Sequence, residues 1–286
     1  MVTQGPRVRP AAVAGTWYPG SAGALTRDVD AYLSRADRAT AGVIQAIIAP
    51  HAGLMFSGPV GAWAYQAAAA GAYDVAFLIG PSHYVGFEGF SVWPEGAFDS
   101  PLGPAAIHSE AALAILRSPL GQDLPSAHAR EHSLEMQLPF LRRLLPDVPI
   151  VPIVIGYQTR QTIEELGRIL TEAARPHRAL LIASTDLSHY FDSTTAASLD
   201  GRVQACVTRF DPGGLLALFE EHPEQERGRY VACGGGAAIA VMQAARLLGA
   251  REGRVLKYAN SGDVSGDHDA VVGYLAAAFG TFSDAH

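Results

Sequence analysis

The chain has 286 residues, of which 49% are hydrophobic and 17% charged, and its formal net charge is −7. Such a composition fills a sizeable core, which excludes a disordered chain, and its acidity argues against binding to nucleic acids or anionic membranes. Two cysteines exclude a disulfide scaffold, and the sequence has neither a signal-peptide pattern nor an uninterrupted apolar span, so we expect a cytoplasmic protein without a membrane segment.

Short apolar runs alternate with helical patterns along the chain, starting with a helix whose N-cap is Ser21. The predicted elements are, in chain order, a helix to about 36, a strand over 43–49, a helix over 59–70, a strand over 74–80, a helix over 132–145, a strand over 149–155, a helix over 162–174, a strand over 179–183, a buried helix over 235–248 and strands over 254–260 and 270–279. Strands alternating with helices predict a central sheet that is covered on both faces.

Two segments interrupt this alternation. Residues 86–104 are rich in glycine, proline and aromatic residues, and residues 211–228 are polar and broken. We interpret both as surface excursions, because neither has the character of an interdomain linker. The sequence therefore predicts one domain over 1–286, with a core over about 7–280.

Three of the four predicted strands before residue 184 are followed by a histidine-bearing turn. His51 follows the first strand and His83 the second, while Asp186 and His189 follow the fourth. Each histidine alone is more often a capped or surface imidazole than a ligand. Ligands of open α/β sheets, however, bind beyond the carboxyl ends of the strands, so the three turns together indicate one shared site.

Two smaller clusters accompany these turns. Asp186 and His189 would share a face of a helical turn, where the carboxylate fixes the imidazole tautomer, although Asp186 could equally be a turn or N-cap residue. His132 lies between Glu131 and Glu135 at a predicted helix start. We interpret Glu131 as a capping residue and keep His132, on one face with Glu135, as a site candidate.

Cys233 stands before three glycines and the apolar helix over 235–248. A cysteine at a helix N-terminus feels the positive end of the helix dipole, which favours the thiolate, a nucleophile or metal ligand. The alternative is a small buried hydrophobic residue, as most free cysteines are, and we accept it for Cys206. For Cys233 the glycines weaken that alternative, because they expose backbone amides and leave space.

Seven motifs, in order along the chain, resemble those of the Memo family. They are RPAAVAGTWYP at 9–19, APHAG at 49–53, GPSH at 80–83, EHSLEMQLP at 131–139, STDLSH at 184–189, CG at 233–234 and NSGD at 260–263. The resemblance runs over about 7–280. It implies a single-domain, three-layer α/β/α sandwich with a central mixed sheet, similar to class III extradiol (LigB-type) dioxygenases.

The resemblance also implies a set of site residues. The family's metal ligands correspond here to His51, His83 and Cys233. Its other site residues, which we expect to be catalytic, correspond to His132, Asp186 and His189. The implied metal is iron(II), with copper or zinc as alternatives. Prokaryotic members are named AmmeMemoRadiSam system protein B, which implies AMMECR-type and radical SAM proteins as partners, together with a small molecule or peptide in the cleft.

One departure from the family follows Cys233. Gly235 and Gly236 stand where a basic or polar residue and a proline are expected before the helix. This departure puts in doubt an anion or substrate contact at that place, but not the cysteine itself.

Three functions compete on these observations. The first is a metalloprotein with iron or copper redox chemistry, in which ordinary ring cleavage is uncertain because a thiolate replaces the usual carboxylate. The second is a non-catalytic adaptor that binds a peptide or partner in the same cleft. The third is a thiol hydrolase with Cys233 as nucleophile and His189 or His132 as base.

Overall fold

A computed structural model describes residues 7–36 and 42–283, so the first six residues, on which the signal-peptide expectation depends, lie outside the described chain. The strands are β1 (Val8–Arg9), β2 (Gly42–Ala49), β3 (Val75–Pro81), β4 (Phe90–Val92), β5 (Ala97–Phe98), β6 (Ala105–Ala106), β7 (Gly121–Gln122), β8 (Ile150–Ile155), β9 (Ala179–Ser184), β10 (His189–Phe191), β11 (Glu252–Asn260) and β12 (Val271–Phe282). The helices are α1 (Ala22–Leu33), α2 (Leu54–Ala68), α3 (Ser109–Ile115), α4 (Pro125–Ala129), α5 (Leu138–Leu144), α6 (Arg160–Ala174), α7 (Ser193–Thr208), α8 (Pro212–Glu220), α9 (Glu224–Tyr230), α10 (Gly235–Leu247) and α11 (Gly262–Ser265).

A nine-stranded sheet forms the centre of the described chain, in the order β10-β12-β2-β9-β3-β8-β4-β7, with β11 also paired to β12. The four middle strands β2, β9, β3 and β8 run parallel, and they consist mostly of buried apolar residues because both of their faces are covered. β12 pairs antiparallel with β2, and β4 antiparallel with β8, so the sheet is mixed, as predicted.

Helices cover both faces of this sheet. On one side α1, α2 and α5 pack against one another, with α2 on β2 and β12. The other layer contains α3, α6, α8 and α10, with α10 on β2, β3 and β9. The predicted three-layer α/β/α sandwich is thereby confirmed. Within the described ranges, no helix combines the length and apolar character needed to cross a bilayer.

Two predicted helix starts are wrong. The helix placed at 59–70 begins at Leu54 and carries Pro59 inside it, although proline favours the first turn. The helix placed at 132–145 becomes regular only at Leu138, after a 3₁₀ turn over Glu135–Gln137. His132 lies before both pieces, and its predicted shared face with Glu135 is wrong because buried contacts draw the Glu135 carboxylate toward the N-terminal segment.

The two predicted surface excursions are also wrong. Phe90 of β4 is fully buried where that strand extends the central sheet beside β8. Leu215 and Phe219 of α8 are buried, and that helix packs on α10. Apolar residues in both segments supply part of the core, and the abundant glycine, proline and polar residues around them obscure this in the sequence.

Candidate metal centre

The sheet topology explains why the site residues meet. His51, His83 and Asp186 follow the carboxyl ends of β2, β3 and β9, which are neighbouring parallel strands with β9 in the middle. His132 and Cys233 arrive from outside the sheet, from the turn before the 3₁₀ helix and the turn before α10. The three strand-end turns therefore lie together at one edge of the sheet in the described chain, as predicted.

The imidazole of His51 is held in one tautomer. Its Nδ1 lies 2.9 Å from the Ser184 hydroxyl, which donates its only hydrogen to the carbonyl of Ser133 at 2.7 Å. The Gln137 amide nitrogen donates to the same hydroxyl at 2.7 Å. Nδ1 must therefore carry a hydrogen, so Nε2 is the ring nitrogen that gains or loses a proton, and it lies 3.2 Å from Cys233 Sγ.

A buried carboxylate orients His83. Glu131 accepts hydrogen bonds from the His83 backbone amide at 2.7 Å and from its Nδ1 at 2.8 Å, which leaves Nε2 to face the site. Burial raises the pKa of Glu131, but the contacts with His83 outweigh it and lower that pKa to about 2. Glu131 does accept from the amide of Ser133, as a capping residue would, but the sequence missed its role in orienting His83.

His132 completes a group of three imidazoles. The possible ligand atoms of His51, His83 and His132 all lie within 4.8 Å of one another. The His132 ring stacks on His83 at 4.4 Å and packs against Trp17 at 4.2 Å between ring centroids. Burial and the two neighbouring imidazoles lower the pKa of His132 to about 3, so this ring is neutral at physiological pH. The three imidazoles could hold a metal ion.

The Cys233 thiol lies beside this group. Its Sγ accepts a hydrogen bond from the Asp186 amide at 3.3 Å, in addition to its contact with His51. Burial raises the pKa of Cys233, yet the charge and hydrogen bonds of His51 and His83 lower it to about 6. The thiolate is thus favoured by imidazoles and one strand-end amide.

The glycines after Cys233 do not have the expected role. The amide of Gly234 donates to Thr185 Oγ1 and that of Gly236 to Gln158 Oε1, both at 2.8 Å, so these amides are not free. A Cβ on Gly236 would lie 2.8 Å from the same Gln158 oxygen, which shows that the turn is closely packed. The expectation of free amides and open space was therefore wrong. Gln158, which the sequence did not single out, also donates to the Cys233 carbonyl at 2.7 Å.

Asp186 and His189 enter the site separately. The Asp186 carboxylate accepts from the His51 amide at 2.8 Å, and burial raises its pKa. His189 opens β10, and its Nδ1 is buried without a hydrogen-bond partner in the described part of the chain. The predicted helical turn is wrong, because Asp186 and His189 lie on a strand-end loop and a strand. Both nevertheless line the same cleft as the imidazoles.

The cleft has a volume of about 530 Å³. Its polar floor consists of the imidazoles and Asp186, and its walls are mainly apolar or aromatic. The wall residues are Thr16, Trp17, Ala52, Gly53, Met55, Phe56, Tyr190 and Val272. None of these wall residues was predicted as a site residue, because residues of these types reach the mouth of the cleft only through the fold.

Glu135 holds the segment that carries Trp17. Its fully buried carboxylate pairs with the buried Arg9 guanidinium and accepts hydrogen bonds from the Tyr18 hydroxyl at 2.7 Å and from two backbone amides. The N-terminal segment is thereby tied to the same short stretch that supplies His132. One cleft wall therefore depends on a buried ion pair whose two residues do not line the cleft.

The donor atoms suit a metal ion. In a tetrahedral site with metal–nitrogen bonds of about 2.0–2.1 Å, neighbouring donors lie roughly 3.4 Å apart. The sulfur of Cys233 is 3.2 Å from Nε2 of His51, and the donor atoms of the three imidazoles lie within 4.8 Å of one another, so a bound ion would draw the imidazoles together. Imidazole and thiolate donors suit iron, copper and zinc better than magnesium or calcium.

We expect Cys233 to alkylate rapidly in metal-free protein near neutral pH. The labelling rate should rise with pH and level off above the pKa of about 6, since the thiolate then predominates. Mass-spectrometric mapping across pH measures it, with Cys206 as an internal control whose buried thiol has a raised pKa. Added Fe(II) or Cu(I) should slow labelling of Cys233 strongly. An unchanged rate, with metal binding confirmed separately, would exclude Cys233 as a ligand.

We expect Glu131→Gln to lower metal affinity about 10–100-fold, the usual cost of losing an outer partner of a ligand histidine. The neutral amide accepts more weakly from Nδ1 of His83 and no longer increases the basicity of its Nε2. Competition with a chelator measures the change. Glu164→Gln, at an exposed position on α6, is the matched control. Equal affinities for the two variants would contradict the role of Glu131.

Comparisons with known proteins identify a family and a similar fold. The Memo family model, described as Memo-like protein, matches residues 9–278. A MEMO1 family protein of Methanopyrus kandleri is 37% identical over 239 residues, 82% of each chain. One of Methanothermobacter thermautotrophicus is 36% identical and covers 93% of this chain and 98% of its own. The crystal structure of an uncharacterized Escherichia coli K12 protein is similar in fold, with a TM-score of 0.54 and 14% identity over 83% of this chain and 100% of that one.

Proposed function

This chain belongs to the Memo family, and from that premise we propose that it is a metalloprotein in which His51, His83 and Cys233 hold one metal ion. The observation that carries the proposal is the pair of imidazoles whose Nδ1 atoms are occupied by Ser184 and Glu131. Their Nε2 atoms are thereby directed to the site, where the thiol of Cys233 lies.

Iron(II) is the first choice of metal, followed by copper and zinc, and the proposed activity is an oxidoreductase reaction. The ion would supply redox or Lewis-acid chemistry. The neutral ring of His132 would accept a hydrogen bond from a bound substrate, and Asp186 would keep His51 in place through its backbone amide. His189, which lines the cleft, would hydrogen-bond to the substrate.

Elemental analysis of protein purified without oxygen tests the proposal. We expect one equivalent of iron or copper per chain, removable by chelators and restored by titration. Protein that binds neither iron, copper nor zinc under these conditions would overturn the proposal.

We expect the iron-loaded protein to cleave standard catechols slowly or not at all. Extradiol-type iron sites combine two histidines with a carboxylate, and here the proposed third ligand is the thiolate of Cys233. The measurement is anaerobic iron loading, then oxygen and a catechol panel, with absorbance recording of the yellow ring-opened product. Rapid formation of that product would show that the thiolate does not prevent ring cleavage.

A thiol hydrolase is the second candidate, because Cys233, His51 and Ser184 are aligned as nucleophile, base and orienting group. His51, rather than His189 or His132, would be the base. The amides of Gly234 and Gly236 already donate elsewhere, however, and cannot stabilise an oxyanion without losing those bonds. Labelling of Cys233 by an acyl probe, with no bound metal, would favour this candidate.

The proposal includes a cytoplasmic location and AMMECR-type and radical SAM proteins as partners, both supported by family membership alone. An adaptor role, with a peptide or partner in the cleft, uses the same walls but gives no reason for two imidazoles with fixed tautomers. Retention of partner binding by a metal-free His51→Ala variant would favour the adaptor.

A further inference from the structure

We propose that His132 is an exchangeable fourth ligand, which closes the metal site at rest and leaves it when a molecule in the cleft binds the metal. This inference rests on the proposed metal site of His51, His83 and Cys233. It differs from that proposal in giving His132 two positions, one bound to the ion and one free to act on a substrate.

The three imidazoles are not held equally. Nδ1 of His51 and Nδ1 of His83 have hydrogen-bond partners at 2.9 and 2.8 Å. Nδ1 of His132 is 3.3 Å from the Tyr84 hydroxyl and 3.7 Å from Glu131 Oε1. Because hydrogen bonds to nitrogen are most often about 2.9–3.0 Å long, the first two rings are firmly oriented and the third is weakly held.

The position of the His132 ring and its freedom to move also support its assignment as an exchangeable ligand. A ligand atom of His132 lies within 4.8 Å of those of His51 and His83, so the three imidazoles would have to move closer together to share one ion. The His132 ring stacks on His83, with 4.4 Å between ring centroids, and it meets the Trp17 ring at a tilt of 49°. Neither contact is a directional hydrogen bond, so the ring can move toward or away from an ion.

The consequence concerns access to the metal. Four protein donors close a tetrahedral site, whereas three leave a position for another molecule. The cleft joins the imidazoles to walls that include Trp17, Met55 and Phe56. A small molecule with an apolar body and one anionic donor atom fits this combination, and its donor atom would replace His132 on the metal.

Cobalt(II) is the probe for the test, because its ligand-field absorption is more intense in four-coordinate than in higher-coordinate sites. Wild-type protein should show the four-coordinate spectrum together with a thiolate charge-transfer band. His132→Gly should retain the thiolate band and lose ligand-field intensity as water enters. Its affinity for cobalt should fall by less than about tenfold, which is a smaller loss than removal of an outer-shell partner usually causes. Added imidazole should restore the spectrum.

Azide tests the exchange itself. Where His132 occupies the fourth position in more than about nine-tenths of molecules, azide should bind His132→Gly at least about tenfold more tightly than wild type. His132→Gln keeps most of the side-chain volume, so it replaces the glycine variant in the test if that variant misfolds. It should bind azide tightly as well. His268→Gly, at an exposed position outside the cleft, is the control and should match wild type in spectrum and azide affinity.

Three results would overturn the inference but not the proposed metal site. An unchanged cobalt spectrum in both His132 variants means that His132 is not a ligand. A loss of cobalt affinity as large as in His51→Ala means that His132 is a permanent ligand. Equal azide affinity in wild type and His132→Gly means that no exchange occurs. Wild-type protein that binds no cobalt, or lacks the thiolate band, overturns the proposed metal site and the inference with it.

Discussion

Replacing His51 with alanine should lower metal affinity by more than the roughly 10–100-fold that loss of an outer-shell partner costs, since the change removes one of the three proposed ligands. His51 connects three other groups of the site. Its Nε2 touches Cys233 Sγ, its Nδ1 contacts Ser184, and its amide binds Asp186. The change also removes a group that stabilises the Cys233 thiolate, so the second ligand becomes harder to deprotonate.

Chelator competition with cobalt(II) or zinc(II) measures this loss. Ser184→Ala is the informative companion, because it keeps the imidazole and removes only the hydroxyl that fixes its tautomer. We expect its affinity to lie between those of wild type and His51→Ala. His268→Ala controls for loss of an imidazole elsewhere. Metal affinity that His51→Ala leaves unaltered would remove His51 from the site.

Replacing Glu135 with alanine should destabilise the protein by about 3–5 kcal/mol, the usual cost of leaving one member of a buried ion pair without its partner. The side chains of Arg9 and Glu135 are 1% and 0% exposed. The variant leaves the guanidinium buried without its carboxylate, and the Tyr18 hydroxyl and two backbone amides lose their acceptor. The N-terminal segment that carries Trp17 should detach first.

Urea denaturation followed by far-ultraviolet circular dichroism measures the free energy of unfolding. The control is Asp30→Ala, which breaks the exposed pair with Arg143 and should cost about 0–1 kcal/mol. An Arg9→Met, Glu135→Leu double variant should recover part of the loss, because no charge is then left unpaired. A Glu135→Ala variant as stable as the Asp30→Ala control would contradict the anchoring role.

The local pattern of apolar and polar residues was sufficient to predict much of the fold. Most strands of the central sheet agree with prediction to within two residues at each end, because a fully buried strand is a continuous apolar run bounded by polar residues. The pattern did not predict short strands that pair with strands far away along the chain. Phe90 belongs to a three-residue strand whose partner, β8, lies some sixty residues away along the chain, and no local periodicity reveals such a pairing.

Some features of the candidate site could likewise be predicted from the sequence, and others could not. The sequence by itself determined that His51, His83 and Asp186 gather at one edge, since they follow parallel strands whose carboxyl ends share that edge of the sheet. It also determined the family, because ordered motifs cover most of the chain. Both depend on residue types at short spacing, which a single sequence displays.

Only the tertiary structure decided which atoms face the site. The tautomer of His51 depends on Ser184, which lies 133 residues further along the chain, and the orientation of His83 on Glu131, 48 residues away. The groups that stabilise the Cys233 thiolate also differ from the prediction. They are imidazoles and the amide of Asp186, and not amides of the following helix. Hydrogen-bond direction and burial arise from groups that meet only on folding, so spacing along the chain does not encode them.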